Sequence, residues 1–181
     1  MEIRPEKTEE SGLFEDMSAI RRVVGNAFGR EDEAQLVDRL RQAPEFIPEL
    51  SLLAELEGRI VGHILLSKVW LRDSQGYLLD VLAVAPVSVE SSMQRKGVGG
   101  KLLLEALRRA RGLGYRGAIL LGHPEYYPRF GFERASKYNI SLPLEHSDEA
   151  FMAMPFYEKA FPSDGGQVIY SASFFVDGEL L

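Results

Sequence analysis

The segment from Val87 to Lys101 reads VSVESSMQRKGVGGK, a strand-like run followed by a glycine-rich turn and the start of a helix. At such a junction the first backbone N–H groups of the helix have no partner, and the helix dipole adds partial positive charge. Three glycines allow the backbone to come close to a bulky anion, and Arg95 and Lys96 add full positive charges. The segment therefore predicts a phosphate-binding loop, and the alternative is that the glycines only permit a tight turn between strand and helix.

The elements on either side of this loop predict a β-α-β crossover. Tyr77–Val89 is rich in Val and Leu and predicts a strand, bulged or interrupted at Pro86, which has no N–H to donate. Gly97–Leu113 carries one apolar stripe and predicts a helix. Tyr115–Gly122 predicts a buried strand, so the helix connects two parallel strands.

The remaining segments supply helices first and strands later. The predicted elements before the crossover are helices Ser11–Phe28 and Glu31–Ala43 and a hairpin of Leu50–Glu57 and Arg59–Trp70 around Gly58. After it come a compact aromatic turn or short helix at His123–Phe132, a mixed signal over 133–166 and a last strand at Gln167–Val176. The predicted class is α+β, or mixed α/β, with a mixed sheet, and residues 1–181 are predicted to form one domain.

The charge balance argues against a general nucleic-acid binder. The chain has 21 Lys and Arg against 27 Asp and Glu, a formal net charge of −6. Seven of the basic residues lie between Gln94 and Arg116, which favours an anionic ligand of limited size. Two common nucleotide-binding patterns fail, because the Walker pattern needs glycine at Arg95 and the Rossmann pattern needs glycine at Leu102. These two failures count against a kinase or other nucleotide-binding enzyme, which is kept only as the weakest of the hypotheses considered below.

Composition limits the compartment and the chemistry. The absence of cysteine excludes disulfides, thiolate metal sites and a cysteine nucleophile. No spacing of His, Asp and Glu predicts a metal site. Because no stretch has the roughly 20 apolar residues that span a bilayer, and the first residues lack a secretory pattern, we expect a cytoplasmic protein with no membrane partner.

The pattern Gln94-x-x-Gly97-x-Gly99, after a strand and opening an apolar helix, resembles the GNAT superfamily of N-acetyltransferases. The run GHPEYYPRFGF, from Gly122 to Phe132, contains a Y-x-x-x-G-F segment at the family's usual distance from the loop. This run is especially close to the YhbS-like branch. The resemblance follows the element order of residues 1–132 and is sharpest over 87–132, with 133–181 left as C-terminal strands and an acceptor-side segment.

The resemblance implies a GNAT-like fold, with a central mixed, splayed β-sheet flanked by helices. It implies an acetyl-CoA-dependent N-acetyltransferase that moves the acetyl group to an unidentified amine by direct attack, without a covalent enzyme intermediate. Tyr127 matches the tyrosine that, in many members of the family, protonates the departing thiolate, with Tyr126 as a rival. The residues that the resemblance assigns to acetyl-CoA are Val87, Ser88, Val89, Gln94, Arg95, Lys96, Gly97, Val98, Gly99, Gly100 and Lys101.

Several alternatives stay open at this level. The amine's proton has four possible acceptors: Glu90, His123, Asp80 or water. A non-catalytic acyl-CoA sensor, or an interaction protein on a GNAT fold, is the alternative to an enzyme. Family analogy also suggests a homodimer. The sequence does not choose the acceptor amine or the length of the acyl chain.

Overall fold

A computed structural model of the chain describes residues 1–8, 10–176 and 179–180. Of the predicted C-terminal segment 133–181, positions 177, 178 and 181 lie outside the described residues. Two compact units make up the structure. Unit 1 comprises Met1–Ser67, Ala85–Arg109 and the described residues from Ala172 onward, and unit 2 comprises Lys68–Val84 and Ala110–Ser171.

Unit 1 contains the first helices and an antiparallel set of strands. Strand β1 pairs with β2, and β2 pairs with β3, so that Leu52 lies opposite Ile64. The predicted hairpin is confirmed, and Gly58 at its turn has a φ of 76°, which favours glycine. The elements are β1 Glu2–Pro5, α1 Glu10–Phe28, α2 Asp32–Arg41, β2 Ser51–Leu56, the first part of β3 Arg59–Arg72, the end of β4 Leu78–Val89, most of α3 Val98–Gly112, β10 Phe175–Val176 and β11 Glu179–Leu180.

A glycine lets α3 lie directly on β3 within unit 1. A Cβ built at Gly62 would be 3.0 Å from Leu102 Cδ1 and 3.1 Å from Val98 Cγ1. Both partners are buried, so the first turns of α3 pack tightly against the strand. The close contact fixes the position of the N-terminus of α3 against β3.

Unit 2 carries the parallel pair and an antiparallel continuation. Strands β4 and β5 are parallel, with Leu82 opposite Ala118 and Ala83 opposite Ile119, which confirms the predicted crossover and the mixed sheet. Strand β5 then pairs antiparallel with β8 along its whole length. The elements first found here are β5 Gly117–Leu121, β6 Glu133–Arg134, β7 Ile140–Ser141, β8 Phe151–Pro155 and β9 Gly166–Ile169.

Two sequence expectations need correction. The interruption predicted at Pro86 is wrong, because β4 runs through a cis Ala85–Pro86 peptide bond and Pro86 is packed in the interior. The predicted last strand is also too long, because β9 ends at Ile169 and a 3₁₀ turn, Ala172–Phe174, separates it from β10. In the part of the chain that the structure describes, no helix is both long and apolar enough to cross a membrane.

Candidate active site

The loop between β4 and α3 exposes backbone amides. We call Gln94–Gly100 the glycine-rich loop. Arg95 and Gly97 adopt left-handed conformations, with φ of 60° and 83°. The N–H of Lys101 donates to the Gly97 carbonyl at 3.1 Å, but the amides of residues 95 to 97 find no acceptor among the described residues. Those of the first helical turn have none by helix geometry. A Cβ at Gly97 would meet no atom within 4 Å, so the space beside this residue is open.

The basic residues near this loop and along α3 differ in whether they are paired with a carboxylate. Arg95, Lys96 and Lys101 are exposed, and none of the three forms an ion pair within the described ranges. Further along the helix, Arg108 and Arg109 each bind Glu105 at 2.8 Å. The N-terminal cations are therefore the ones available to an anion, and they reinforce the partial charge of the helix end.

Polar side chains at the end of β4 and just beyond it donate hydrogen bonds to backbone carbonyls of the protein itself. Ser88 is buried, and its Oγ donates to the His63 carbonyl at 3.3 Å. Gln94 Nε2 donates to the Val89 carbonyl at 3.2 Å. Val87 and Val89 are half-buried. These predicted ligand-binding residues can therefore offer backbone groups more readily than side chains.

Tyr127 lies in unit 2, in the aromatic turn that follows β5 and that we define as His123–Phe132. The ring packs directly on Gly122, where a Cβ would be 2.4 Å from Tyr127 Cε2. Two other rings meet it edge to face, Tyr126 at 5.0 Å and Phe132 at 5.9 Å between centroids. Gly131 ends the 3₁₀ turn Tyr127–Phe130 with a φ of 97°. The phenol is thus held on three sides by its own unit.

The surroundings of Tyr127 keep its hydroxyl protonated. Burial, with a smaller contribution from Tyr126, raises the pKa of Tyr127 to about 12. A phenol with such a pKa remains an acid through the whole neutral range. It can donate a proton to a thiolate as that group departs, although the phenolate left behind is the stronger base and must be reprotonated afterwards.

Tyr126, the rival residue, is engaged differently. The Arg129 guanidinium lies 4.0 Å from the Tyr126 ring centroid and 5.0 Å from that of Phe130. Such stacking is a cation–π contact, and it covers one face of the Tyr126 ring. Tyr127 has no such cation over its ring among the described residues.

The candidate proton acceptors fall into two kinds. Glu90 is buried and ion-paired with Arg22 and Arg59. Asp80 and His123 are exposed, and neither side chain has a hydrogen-bond partner in the described part of the chain. Among the described residues, no three His, Asp or Glu side chains lie so that they could hold a metal ion together.

The sequence did not predict three residues that contact Glu90 or Tyr127. Arg22 on α1 and Arg59 on β3 reach Glu90 from other elements, and Gly122 accommodates the Tyr127 ring. The arginines are 68 and 31 residues away from Glu90, so no spacing rule connects them. Gly122 follows directly on β5, and a glycine beside an aromatic run was the one available signal.

Comparison with known proteins defines the class. Residues 14–135 match the acetyltransferase (GNAT) domain family. This match covers well over half of the chain, and the chain belongs to the GNAT family of acetyltransferases. The resemblance inferred from the glycine-rich loop and the Y-x-x-x-G-F segment is thereby confirmed.

Individual relatives indicate which members of the family this chain resembles. YjhQ of Escherichia coli K12, an uncharacterized N-acetyltransferase, is 41% identical over 119 residues, and the chain spans 65% of that relative's length. The crystal structure of YhbS from Escherichia coli in complex with CoA is 28% identical, with a TM-score of 0.83 over 96% of this chain and 91% of that chain. A GNAT acetyltransferase from Brucella melitensis in complex with acetyl-CoA is 34% identical, with a TM-score of 0.76 over 96% and 97%. The YhbS-like resemblance and the predicted fold class are both confirmed.

Proposed function

We propose that this protein is an acetyl-CoA-dependent N-acetyltransferase. The observation that carries the proposal is the row of unpartnered amides from Arg95 to Gly97 at the N-terminus of α3. Free amides, a helix dipole and unpaired cations suit a diphosphate, because each places positive charge where the phosphate oxygens lie. Relatives of similar fold are complexes with CoA and acetyl-CoA, which supports this choice of anion.

The glycine-rich loop supplies the donor-binding residues in this proposal. The amides of residues 95–100 bind the diphosphate of acetyl-CoA, and Arg95, Lys96 and Lys101 add charge around it. The backbone of Val87–Val89 pairs with the amides of the pantetheine arm, in the manner of an added strand. Ser88 acts through its backbone, because its hydroxyl is already bound to the His63 carbonyl.

Tyr127 supplies the proton for the leaving group. Acetyl-CoA brings an acetyl thioester, and the acceptor amine attacks its carbonyl carbon directly. The new C–N bond replaces the C–S bond, the departing sulfur takes the proton of the Tyr127 hydroxyl, and the proton that the amine loses restores that hydroxyl through solvent. The raised pKa of Tyr127 keeps that proton in place until the sulfur leaves.

The amine must lose one proton to become a neutral amide. Asp80 and His123 are the exposed candidates for accepting it, directly or through water. Glu90 is the least suited of the three side chains, because Arg22 and Arg59 already bind one of its oxygens.

The donor assignment is tested by calorimetric titration with acetyl-CoA, using ATP and NADH as controls. We expect micromolar binding to acetyl-CoA alone. Gly99→Asp places a carboxylate in the first turn of α3, and repulsion of the diphosphate should weaken binding by at least about tenfold. Gly112→Asp makes the same charge change at the other end of the helix, where open space surrounds the residue. We expect that control to bind acetyl-CoA like the wild type.

Equal affinity of Gly99→Asp and wild type would overturn the assignment of the loop. Turnover is measured separately, by thiol release from acetyl-CoA over a panel of primary amines. The protein adds no background thiol to this assay, since the chain has no cysteine. Binding of acetyl-CoA without thiol release from any amine is the result that the non-catalytic sensor predicts.

A further inference from the structure

Glu90 lies where β4 passes into the glycine-rich loop, and its side chain is only 7% exposed. Its Oε1 atom accepts a hydrogen bond from Arg22 Nη1 and another, at 3.1 Å, from Arg59 Nη2. A buried carboxylate keeps its charge only when cations and hydrogen bonds replace the water it has lost. The two guanidinium groups provide that replacement.

The backbone of Glu90 is fixed as firmly as its side chain. Its N–H donates to the Val61 carbonyl at 2.9 Å, and its carbonyl accepts from the Met93 N–H at 2.8 Å. The second contact closes the 3₁₀ turn Ser91–Met93, which leads directly to Gln94. Every bond of Glu90 therefore sets the path of the chain as it enters the loop.

Arg22 extends this anchoring to two further elements. Its Nη2 atom donates to the Ile60 carbonyl at 2.9 Å, while Nη1 binds Glu90. One guanidinium on α1 thus holds both the start of β3 and the end of β4. Arg59 adds a contact from β3 and remains largely exposed.

We propose that Glu90 is a positioning residue for acetyl-CoA binding, which it supports by holding the glycine-rich loop in the conformation that exposes its amides. Free amides bind a diphosphate well only when they converge in advance, because ordering them on binding costs free energy. Glu90 acts through the loop and does not touch the donor in this proposal. The inference rests on the proposed function and assigns Glu90 a role other than proton acceptor.

The test compares Glu90→Gln and Arg22→Met with the double variant. Glutamine keeps the shape of the side chain but removes its charge, and methionine removes the guanidinium from a partly exposed position. We expect each single variant to weaken acetyl-CoA binding by about five- to tenfold, and the double variant to bind no more weakly than either. Hydrogen exchange of residues 91–97, measured without ligand, should become faster in both singles.

Asp16→Asn is the matched control. Asp16 lies on α1, as Arg22 does, and is buried like Glu90. It accepts hydrogen bonds from Arg4 at 2.7 and 2.8 Å and does not contact the glycine-rich loop. This variant removes a buried carboxylate charge of the same kind from the same unit. It should lower the melting temperature while leaving acetyl-CoA affinity and exchange at 91–97 unchanged.

The possible results separate the two proposals. Failure of the wild type to bind acetyl-CoA removes the proposed function itself. Wild-type affinity in a folded Glu90→Gln, or an equal loss in Asp16→Asn, overturns the positioning role and leaves the proposed function standing. If Glu90→Gln does not fold, Arg22→Met breaks the same contact from the exposed side and decides the question.

Discussion

In the glycine-rich loop the exposed groups are backbone amides and the ends of lysine and arginine side chains, whereas in the aromatic turn the rings pack on one another and are half-buried or buried. The loop depends on backbone conformation, with left-handed residues at Arg95 and Gly97. The turn depends on side-chain packing, with Tyr127 held between Gly122 and two rings. Backbone amides can bind an anion whatever side chains the loop carries, whereas a proton donor must be one particular side chain. Substitution of a single loop side chain should therefore have a small effect on function, and substitution of Tyr127 a large one.

The largest effect is expected at the aromatic turn. Tyr127→Phe removes the acid and keeps the ring, so turnover should fall by about a hundredfold while acetyl-CoA affinity changes less than about twofold. Thiol release with the best amine of the panel gives the rate, and calorimetry gives the affinity. Tyr126→Phe is the control and should retain most of the activity. A rate for Tyr127→Phe that equals the wild type at every pH would remove Tyr127 from the mechanism.

The unit that holds the glycine-rich loop also contains a buried group through which acid lowers stability. His63, on β3 of unit 1, is fully buried, with Nε2 at 3.1 Å from Ser51 Oγ and Nδ1 without a partner among the described residues. Burial, with a smaller effect of Arg41, lowers the pKa of His63 to about 3. The ordinary value is about 6.5, so the unfolded chain binds this proton first and stability falls as pH decreases from 6.5 towards 3.

Urea unfolding at several pH values measures this loss. From pH 7 to pH 5 the uptake of one proton by the unfolded chain should cost about 2 kcal/mol. His63→Gln cannot titrate and should lack that component, whereas His146→Gln, at an exposed histidine, should keep it. The same pH dependence in wild type and His63→Gln would contradict the assignment. Tyr127, with its raised pKa, should add no pH dependence to stability in this window.

A smaller effect is expected when the support of Tyr127 is changed. A methyl group at Gly122 would lie 2.4 Å from the Tyr127 ring, so Gly122→Ala must displace that ring. Turnover should fall by about tenfold, because a catalytic group moved by an ångström loses much of its effect. Gly112→Ala is the control, since its methyl group meets no atom within 4 Å and alanine suits a helix. Unchanged turnover in Gly122→Ala would show that the packing of Tyr127 does not set the rate.

The contrast also explains what the sequence could predict. The glycine-rich loop, α3 and the β4–α3–β5 crossover were predicted because glycine spacing and apolar periodicity are local properties. The strand Phe151–Pro155 gave only a mixed signal, because an apolar run of that length does not distinguish a strand from other buried segments. The ion pair of Glu90 with Arg22 joins residues 68 positions apart, so the folded chain alone brings them together.

The smallest effect is expected from the side chains of the loop. Lys96 is exposed and has no carboxylate partner within the described ranges, and its Nζ lies 4.0 Å from Met93 Sδ. Lys96→Gln should weaken acetyl-CoA binding by about threefold at low salt and less at physiological ionic strength, because an exposed charge is screened. Arg108→Gln removes the same charge from a residue already bound to Glu105 and should change affinity less. If Lys96→Gln instead loses tenfold or more in physiological salt, side-chain charge outweighs the backbone amides, and the contrast between the two regions fails at the loop.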